Sequence, residues 1–217
     1  MPPTALLFDL DGTLSNPSEG ITRSIAHALT ALGRPAPAPG DLERFIGPPL
    51  RSTLAQLLET EDRALVEEAV RLYRERYTER GMFENVLYPG IPELLACLRA
   101  DGARLFVATS KMTFYTERIV EHFGLVHFFS GIYGSDPEGR LDDKRLLLNH
   151  ILICESLPAE ASVMIGDRLH DIVAARVHGI RSIGVTYGFG TRVELVDAGA
   201  DAIADSPGAI RPLIQTL

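Results

Sequence analysis

From Pro89 onward, short apolar runs rich in β-branched residues alternate with amphipathic stretches of helical periodicity. This alternation is typical of βα units around a parallel sheet, and the connections are long enough for right-handed crossovers. The predicted strands are Ala5–Phe8, Arg104–Ala108, Gly131–Tyr133, Ser162–Ile165, Arg181–Val185 and Ala202–Ile203. The predicted helices are Ile91–Ala100, Thr113–His122, Asp143–Glu155, Leu169–His178, Arg192–Ala198 and Pro207–Gln215. The sequence therefore predicts an α/β fold.

Residues 15–85 interrupt this alternation directly after the first predicted strand. They contain no convincing strand pattern, and their apolar residues recur at helical spacing in three stripes. The proline-rich stretch Pro35–Gly40 separates the first stripe from the second. We therefore expect residues 1–14 and 86–217 to form the α/β domain and residues 15–85 to form an inserted all-helical domain.

Bulk properties of the 217 residues narrow the classes of partner. The formal net charge of −8 does not favour broad electrostatic binding to nucleic acid or to anionic lipid. Neither a basic leader nor a stretch of about 18 uninterrupted apolar residues is present. The only cysteines, Cys97 and Cys154, fall on predicted helices, and we expect both side chains to be buried. Two cysteines without metal-ligand spacing fit a protein of a reducing compartment. The sequence thus predicts a soluble, cytoplasmic monomer or homodimer without a nucleic-acid or membrane partner.

Two carboxylates follow the first predicted strand at once. Asp9 and Asp11 come directly after Leu6-Leu7-Phe8, and residues two apart in an extended segment project to the same side. Gly12 would let the chain turn closely past a ligand, and Thr13 adds a hydroxyl. In open α/β sheets the ligand site lies beyond the carboxyl ends of the strands. We therefore expect both carboxylates to face one site.

Three further groups of polar residues occupy equivalent positions along the chain. They are Thr109-Ser110-Lys111 after a strand, Lys144 in a loop leading into a helix, and Gly166-Asp167 after a strand with Asp171 four residues later. Each group alone also occurs as a helix cap, a turn or a solvated charge. A calcium loop would need further oxygen ligands, which Thr13–Asn16 does not supply. The joint occurrence at strand ends indicates a single site.

These segments resemble the four motifs of the haloacid dehalogenase (HAD) superfamily. The matching segments are Phe8–Leu14, Ala108–Lys111, Lys144 and Gly166–Asp171. The helical insert is similar to the cap of the phosphoglycolate phosphatase-like subgroup, as are the segments Phe45–Leu50, Tyr88–Gly90 and Gly184–Gly188. The resemblance spans nearly the whole chain. It implies a Rossmann-like parallel sheet core with an inserted all-helical cap domain.

The resemblance also implies a chemistry, namely Mg²⁺-dependent hydrolysis of a small phosphate monoester, such as phosphoglycolate, through an aspartyl-phosphate. Its residue assignments make Asp9 the nucleophile, Asp11 the acid and base, and Lys144 a fixed cation, with Thr109, Ser110 and Lys144 binding phosphate. The implied metal ligands are Asp9, the Asp11 backbone carbonyl, Asp167 and Asp171, the last directly or through water. Ser110 stands where relatives frequently have Asn, so we expect Thr109 to be the better phosphate ligand.

Specificity should come from the cap, which in such enzymes closes over the site. Arg23 and Arg51 are the candidate substrate-binding residues there, and each is equally well explained as a solvated surface arginine. A phosphonate hydrolase would need a cap lysine, and no lysine occurs between Ser15 and Asn85. The partner that we expect is therefore a small phosphorylated metabolite.

Four alternatives to a phosphoglycolate phosphatase stay open at this point. The same motifs fit a 5'-nucleotidase acting on nucleoside monophosphates, and a sugar phosphomutase shares the two aspartates. A non-catalytic phosphate-binding module would be expected to have lost Asp9, Asp11, Lys144 or Asp167, and all four are present. An interaction scaffold whose acidic cluster only binds a divalent cation is the fourth.

Overall fold

The computed structural model describes residues 4–136 and 138–217, so residues 1–3 of the predicted α/β domain lie outside the described part. The chain divides into two compact units. One comprises the chain up to Asn16 together with Leu87–Leu217, and the other is Pro17–Val86. None of the helices that the structure describes is both long and apolar enough to cross a membrane. The assignment of the two units as catalytic core and cap stays a prediction.

Within residues 4–136 and 138–217, eight strands form a six-stranded and a two-stranded sheet. In chain order they are β1 (Ala5–Phe8), β2 (Ser15–Asn16), β3 (Val86–Leu87), β4 (Arg104–Met112), β5 (Gly131–Ser135), β6 (Ser162–Gly166), β7 (Arg181–Val185) and β8 (Ala202–Ala204). The larger sheet has the order β5-β4-β1-β6-β7-β8, and all its strand pairs are parallel. The smaller sheet pairs β2 with β3. The predicted α/β fold with a parallel sheet is confirmed.

Ten α-helices lie in the described parts of the two units. They are α1 (Ser18–Ala31), α2 (Pro39–Leu42), α3 (Leu50–Leu58), α4 (Arg63–Glu79), α5 (Ile91–Ala100), α6 (Thr113–His122), α7 (Lys144–Cys154), α8 (Leu169–Val177), α9 (Arg192–Asp197) and α10 (Pro207–Thr216). Short 3₁₀ turns lie at Glu43–Phe45, Gly81–Phe83, Val126–Phe128 and Ala159–Ala161. The first four helices belong to the unit Pro17–Val86. Three of them, α1, α3 and α4, carry the three apolar stripes seen in the sequence.

The central strand β1 places the first motif at the middle of the sheet. It lies between β4 and β6, where Phe8 pairs in register with Val107 and Ile165. Every residue of β1 is fully buried, as its uninterrupted apolar run predicts for a strand covered on both faces. The chain that leaves β1 therefore enters the crevice at the carboxyl end of the sheet.

Strand β4 is longer than the sequence indicated. It continues to Met112 rather than ending at Ala108, and its register with β5 shifts between these two residues. Gly134 makes this extension possible, because a Cβ atom there would lie 2.3 Å from the Lys111 carbonyl oxygen. The segment Thr109–Lys111 therefore lies inside the strand and not after it, so the predicted strand end was wrong.

Two other expectations were wrong. Ser15–Asn16 forms a short strand where no strand was expected, because two residues are too few to show an alternating pattern. Cys97 on α5 and Cys154 on α7 are exposed, although burial was predicted for both. Neither cysteine belongs to the set of residues that its helix buries.

Candidate active site

Asp9 continues directly from the central strand. Its backbone N–H donates to the Ile165 carbonyl at 2.9 Å, which extends the pairing between β1 and β6 by one residue. The residue is only 9% exposed. Sheet geometry thus fixes the backbone of Asp9 and leaves its side chain at the carboxyl edge.

Lys144, the first residue of α7, contacts three groups at this edge of the sheet. The helix begins there because Asp143 caps it, accepting from the Arg145 N–H at 2.9 Å. The buried Nζ of Lys144 donates to Asp9 Oδ1 at 2.9 Å and to the Ala108 carbonyl at 2.7 Å, and lies 2.8 Å from Asp171 Oδ1. Burial alone would lower the pKa of Lys144, but the neighbouring carboxylates outweigh it and raise the pKa. Lys144 is therefore a fixed cation.

Three buried carboxylates cluster beside this lysine. One oxygen from each of Asp9, Asp167 and Asp171 lies within 4.8 Å of the others. Burial, together with the charges of Asp9 and Asp171, raises the pKa of Asp167 well above its ordinary value. Asp167 Oδ2 accepts from the Phe189 N–H at 2.8 Å, whereas Oδ1 has no hydrogen-bond partner among the described residues. A buried carboxylate oxygen without a partner is costly unless a cation satisfies it.

Asp171 differs from Asp167 because, although Oδ1 of each accepts no hydrogen bond among the described residues, a buried cation faces Oδ1 of Asp171. Oδ1 lies against Lys144, and Oδ2 accepts from the Arg168 N–H at 3.2 Å. Burial raises the pKa of the Asp171 carboxyl, and the charge of Lys144 opposes this shift. Asp171 is therefore tied into the protein more fully than Asp167 is.

Asp11 is paired with a second lysine, Lys111, whose side chain is largely buried. Lys111 Nζ lies 2.7 Å from Asp11 Oδ2, and the two side chains are 9% and 14% exposed. Asp11 Oδ1 has no hydrogen-bond partner in the described part of the chain. Burial raises the pKa of Asp11 above its ordinary value, and the charge of Lys111 opposes this shift only in part. Sequence reasoning gave Lys111 no role, although it is one of only two lysines in the protein.

Two of the three predicted phosphate ligands, Thr109 and Ser110, lie on the neighbouring strand β4. Thr109 is buried and its hydroxyl oxygen accepts from the Lys111 N–H at 3.3 Å, while Ser110 is half-buried. The structure therefore brings Asp9, Asp11, Thr109, Lys144, Asp167 and Asp171 to one edge of one unit. Their predicted catalytic, phosphate-binding and metal-binding roles stay predictions.

A glycine-rich loop after β7 supports the cluster from outside. Tyr187 donates its hydroxyl to the Thr13 carbonyl at 3.0 Å, and Phe189 supplies the N–H that holds Asp167. A Cβ atom at Gly188 would lie 2.3 Å from the Gly12 carbonyl oxygen. At Gly190 it would lie 1.9 Å from the Asp167 carbonyl oxygen. The sequence did not reveal this support, because the loop is distant along the chain and acts through its backbone.

Gly12 also permits a close approach, but to the protein itself. It has a φ of 85°, and a Cβ atom there would lie 2.1 Å from Asp167 Oδ2. We expected this glycine to let the chain pass closely by a ligand. In the structure it lets the chain pass closely by the carboxylate of Asp167.

The two candidate arginines of the helical unit are paired with acids. Arg23 lies 2.6 Å from Glu19 and 3.1 Å from Glu84, and Arg51 lies 2.6 Å from Glu67. Both side chains are about half exposed, at 55% and 47%. Their substrate-binding role stays a prediction, and an anionic substrate would have to compete with these carboxylates.

Comparison with known proteins gives the class of the chain. The model of the haloacid dehalogenase-like hydrolase family matches residues 6–185. A 5'-nucleotidase from Pseudomonas aeruginosa is 47% identical over 88% of this chain and 86% of its own length. Tyrosine-protein kinase PtkA from Mycobacterium tuberculosis is 39% identical over 99% of this chain and 72% of its own. A phosphoglycolate phosphatase from Agrobacterium fabrum is 31% identical over 96% and 91%.

Among solved structures, a predicted phosphatase from Clostridium acetobutylicum superposes with a TM-score of 0.94. It is 37% identical, and the match covers 100% of both chains. The protein belongs to the haloacid dehalogenase-like hydrolase family. The predicted enzyme class, phosphoric monoester hydrolase, is confirmed by the phosphatases among these relatives and structures.

The loop after β7 yields a direct test. In Gly188→Ala the new methyl group would collide with the Gly12 carbonyl oxygen and the Asp167 side chain, so Asp167 should move. A misplacement of about 1 Å costs on the order of 100-fold in rate. We expect kcat/KM for p-nitrophenyl phosphate to fall by about that factor. The matched control is Gly208→Ala, where nothing lies within 4 Å of the new Cβ, and which should keep wild-type activity. Unchanged kcat/KM in Gly188→Ala, with the same melting temperature, would contradict the supporting role of the loop.

Proposed function

We propose that the protein is a Mg²⁺-dependent phosphatase that uses Asp9 as a covalent nucleophile. The observation that carries this proposal is the buried cluster of Asp9, Asp167 and Asp171 around the charged Lys144. A phosphate monoester is anionic, so a carboxylate can attack it only where positive charge is already in place. The cluster already contains one cation, Lys144. Its carboxylate oxygens can also bind a second cation, a metal ion.

The donor set fits Mg²⁺. The ion takes hard oxygen ligands and usually keeps several waters, so few protein ligands suffice. Asp9, the Asp11 backbone carbonyl and the unpartnered Oδ1 of Asp167 would hold it. Because Lys144 already faces Oδ1 of Asp171 and the Arg168 N–H binds Oδ2, we assign Asp171 a role through a bound water. When bound, Mg²⁺ would supply positive charge that stabilises the transferring phosphoryl group.

The protein's own residues then divide the chemistry. Lys144 holds Asp9 Oδ1, so Oδ2 attacks phosphorus while the bond to the leaving oxygen breaks. The Thr109 hydroxyl would bind a phosphate oxygen, and Ser110 would assist. Asp11 gives a proton to the leaving oxygen and afterwards takes one from the water that hydrolyses the aspartyl-phosphate. Two carboxylates two residues apart thus perform two different tasks.

For the substrate we propose a nucleoside 5'-monophosphate. The support is the 47% identity to a 5'-nucleotidase, against 31% to a phosphoglycolate phosphatase. Phosphoglycolate, on which the sequence analysis centred, becomes the second candidate. Arg23 and Arg51 of the helical unit are the proposed selectors of the leaving group. The cytoplasmic location and the monomeric or dimeric state stay predictions.

The nucleophile assignment is tested by substitution and by metal removal. Asp9→Asn keeps the size of the side chain but removes the attacking oxygen, so we expect p-nitrophenyl phosphate hydrolysis to fall at least 1,000-fold, a loss comparable to that of other covalent nucleophiles. Chelation of divalent ions by EDTA should abolish activity, and added Mg²⁺ should restore it. Assaying released inorganic phosphate separates hydrolysis from transfer between sugar positions. Full activity in Asp9→Asn would overturn the assignment, and an inactive wild type with Mg²⁺ would overturn the enzyme itself.

The substrate proposal is tested with a panel of phosphorylated metabolites. Nucleoside 5'-monophosphates should give a higher kcat/KM than phosphoglycolate. Arg51→Ala should raise KM for the best nucleotide about tenfold, which equals one lost contact of 1.4 kcal/mol, and leave KM for p-nitrophenyl phosphate unchanged. The control is Arg71→Ala, which removes another exposed ion pair of the same helical unit. Equal effects of Arg51→Ala on both substrates would contradict a selective role.

A further inference from the structure

The use of lysine in this protein is unusual. Among its 21 basic residues only Lys111 and Lys144 are lysines, and all others are arginines. Lys144 is buried and Lys111 is largely buried, and both contact aspartates of the candidate active site. Both lysines lie in segments that resemble motifs of the family, but the mechanism proposed above gives a task only to Lys144.

The contact of Lys111 is selective within one carboxylate. Its Nζ lies 2.7 Å from Asp11 Oδ2, while Asp11 Oδ1 has no hydrogen-bond partner among the described residues. One oxygen of the side chain is therefore fixed by an ion pair, and the other stays available. A buried ion pair of this kind restricts the orientation of both partners.

The backbone at Lys111 is fixed as well. Its N–H donates to the Thr109 hydroxyl at 3.3 Å, and its carbonyl oxygen lies so close to Gly134 of β5 that no Cβ atom fits there. The extension of β4 to Met112 thus delivers the lysine from a strand. Side chains on strands are placed more exactly than those on loops, which suits a positioning task.

We propose that Lys111 is a positioning residue that makes Asp11 an effective proton donor, an inference that rests on the proposed function. Lys111 holds Oδ2, so the proton that Asp11 donates is carried on Oδ1. As the P–O bond breaks, its electron pair stays on the leaving oxygen, which takes the proton from Oδ1. The negative charge left on Asp11 faces the ammonium group of Lys111. Proton donation by Asp11 should raise the rate most for esters with basic leaving groups, because these leave slowly unless they are protonated.

The test is the dependence of rate on the leaving group. We would measure kcat/KM of wild type, Lys111→Met and Lys111→Gln with p-nitrophenyl, phenyl and alkyl phosphates. We expect a loss of less than tenfold for p-nitrophenyl phosphate and of about 100-fold for the alkyl ester, the scale of general acid catalysis. Two variants are used because a buried Asp11 without its cation destabilises the fold, and glutamine still offers a hydrogen bond.

Two controls separate this role from a structural one. Arg211 lies on α10, and Arg211→Met removes its surface ion pair with Asp101. This variant should leave the leaving-group dependence of kcat/KM unchanged. In the Asp11→Asn background, Lys111→Met should have no further effect on that dependence, because the group it positions is already absent.

The inference would be overturned if the Lys111 variants lost the same factor in kcat/KM on all three esters. It would also be overturned if kcat/KM of both variants depended on the leaving group as it does in the wild type. Failure of the proposed function is a distinct result, because it would show as full activity in Asp9→Asn.

Discussion

Charge compensation by Lys144 is the interaction on which the site depends. Sheet geometry gathers buried carboxylates at the carboxyl ends of β1 and β6, where desolvation penalises every negative charge. The ammonium group of Lys144 contacts two of these carboxylates and a backbone carbonyl. One cation cannot satisfy them all, and Asp167 keeps an oxygen without a partner among the described residues. This residual negative charge is what the proposed Mg²⁺ would neutralise before a phosphate group binds.

The surrounding backbone fixes these carboxylates in place and leaves one oxygen of Asp167 without a hydrogen-bond partner among the described residues. Loops from three separate parts of the chain approach so closely that Gly12, Gly188 and Gly190 have no room for a Cβ atom. The Phe189 N–H occupies one oxygen of Asp167 and leaves the other available. Lys111 does the same for Asp11. Each carboxylate is thus fixed through one oxygen, and in the proposed mechanism it acts through the other.

The sequence predicted the sheet and most of the site because both depend on local patterns. Runs such as Leu6-Leu7-Phe8 reveal buried parallel strands, and polar residues at their ends mark the site. The Lys111–Asp11 pair and the contact of the loop after β7 were missed, because they join residues distant along the chain. The end of β4 was also misplaced, since it depends on the absence of a side chain at Gly134 of the neighbouring strand.

The central claim is that Asp9 carries the phosphoryl group between two displacements. Its most direct test is the stereochemical course at phosphorus, measured with a substrate whose phosphate is made chiral by isotopes of oxygen. Two successive in-line displacements, first by Asp9 and then by water, predict overall retention of configuration. Inversion would mean that water attacks the substrate directly, and it would contradict the account.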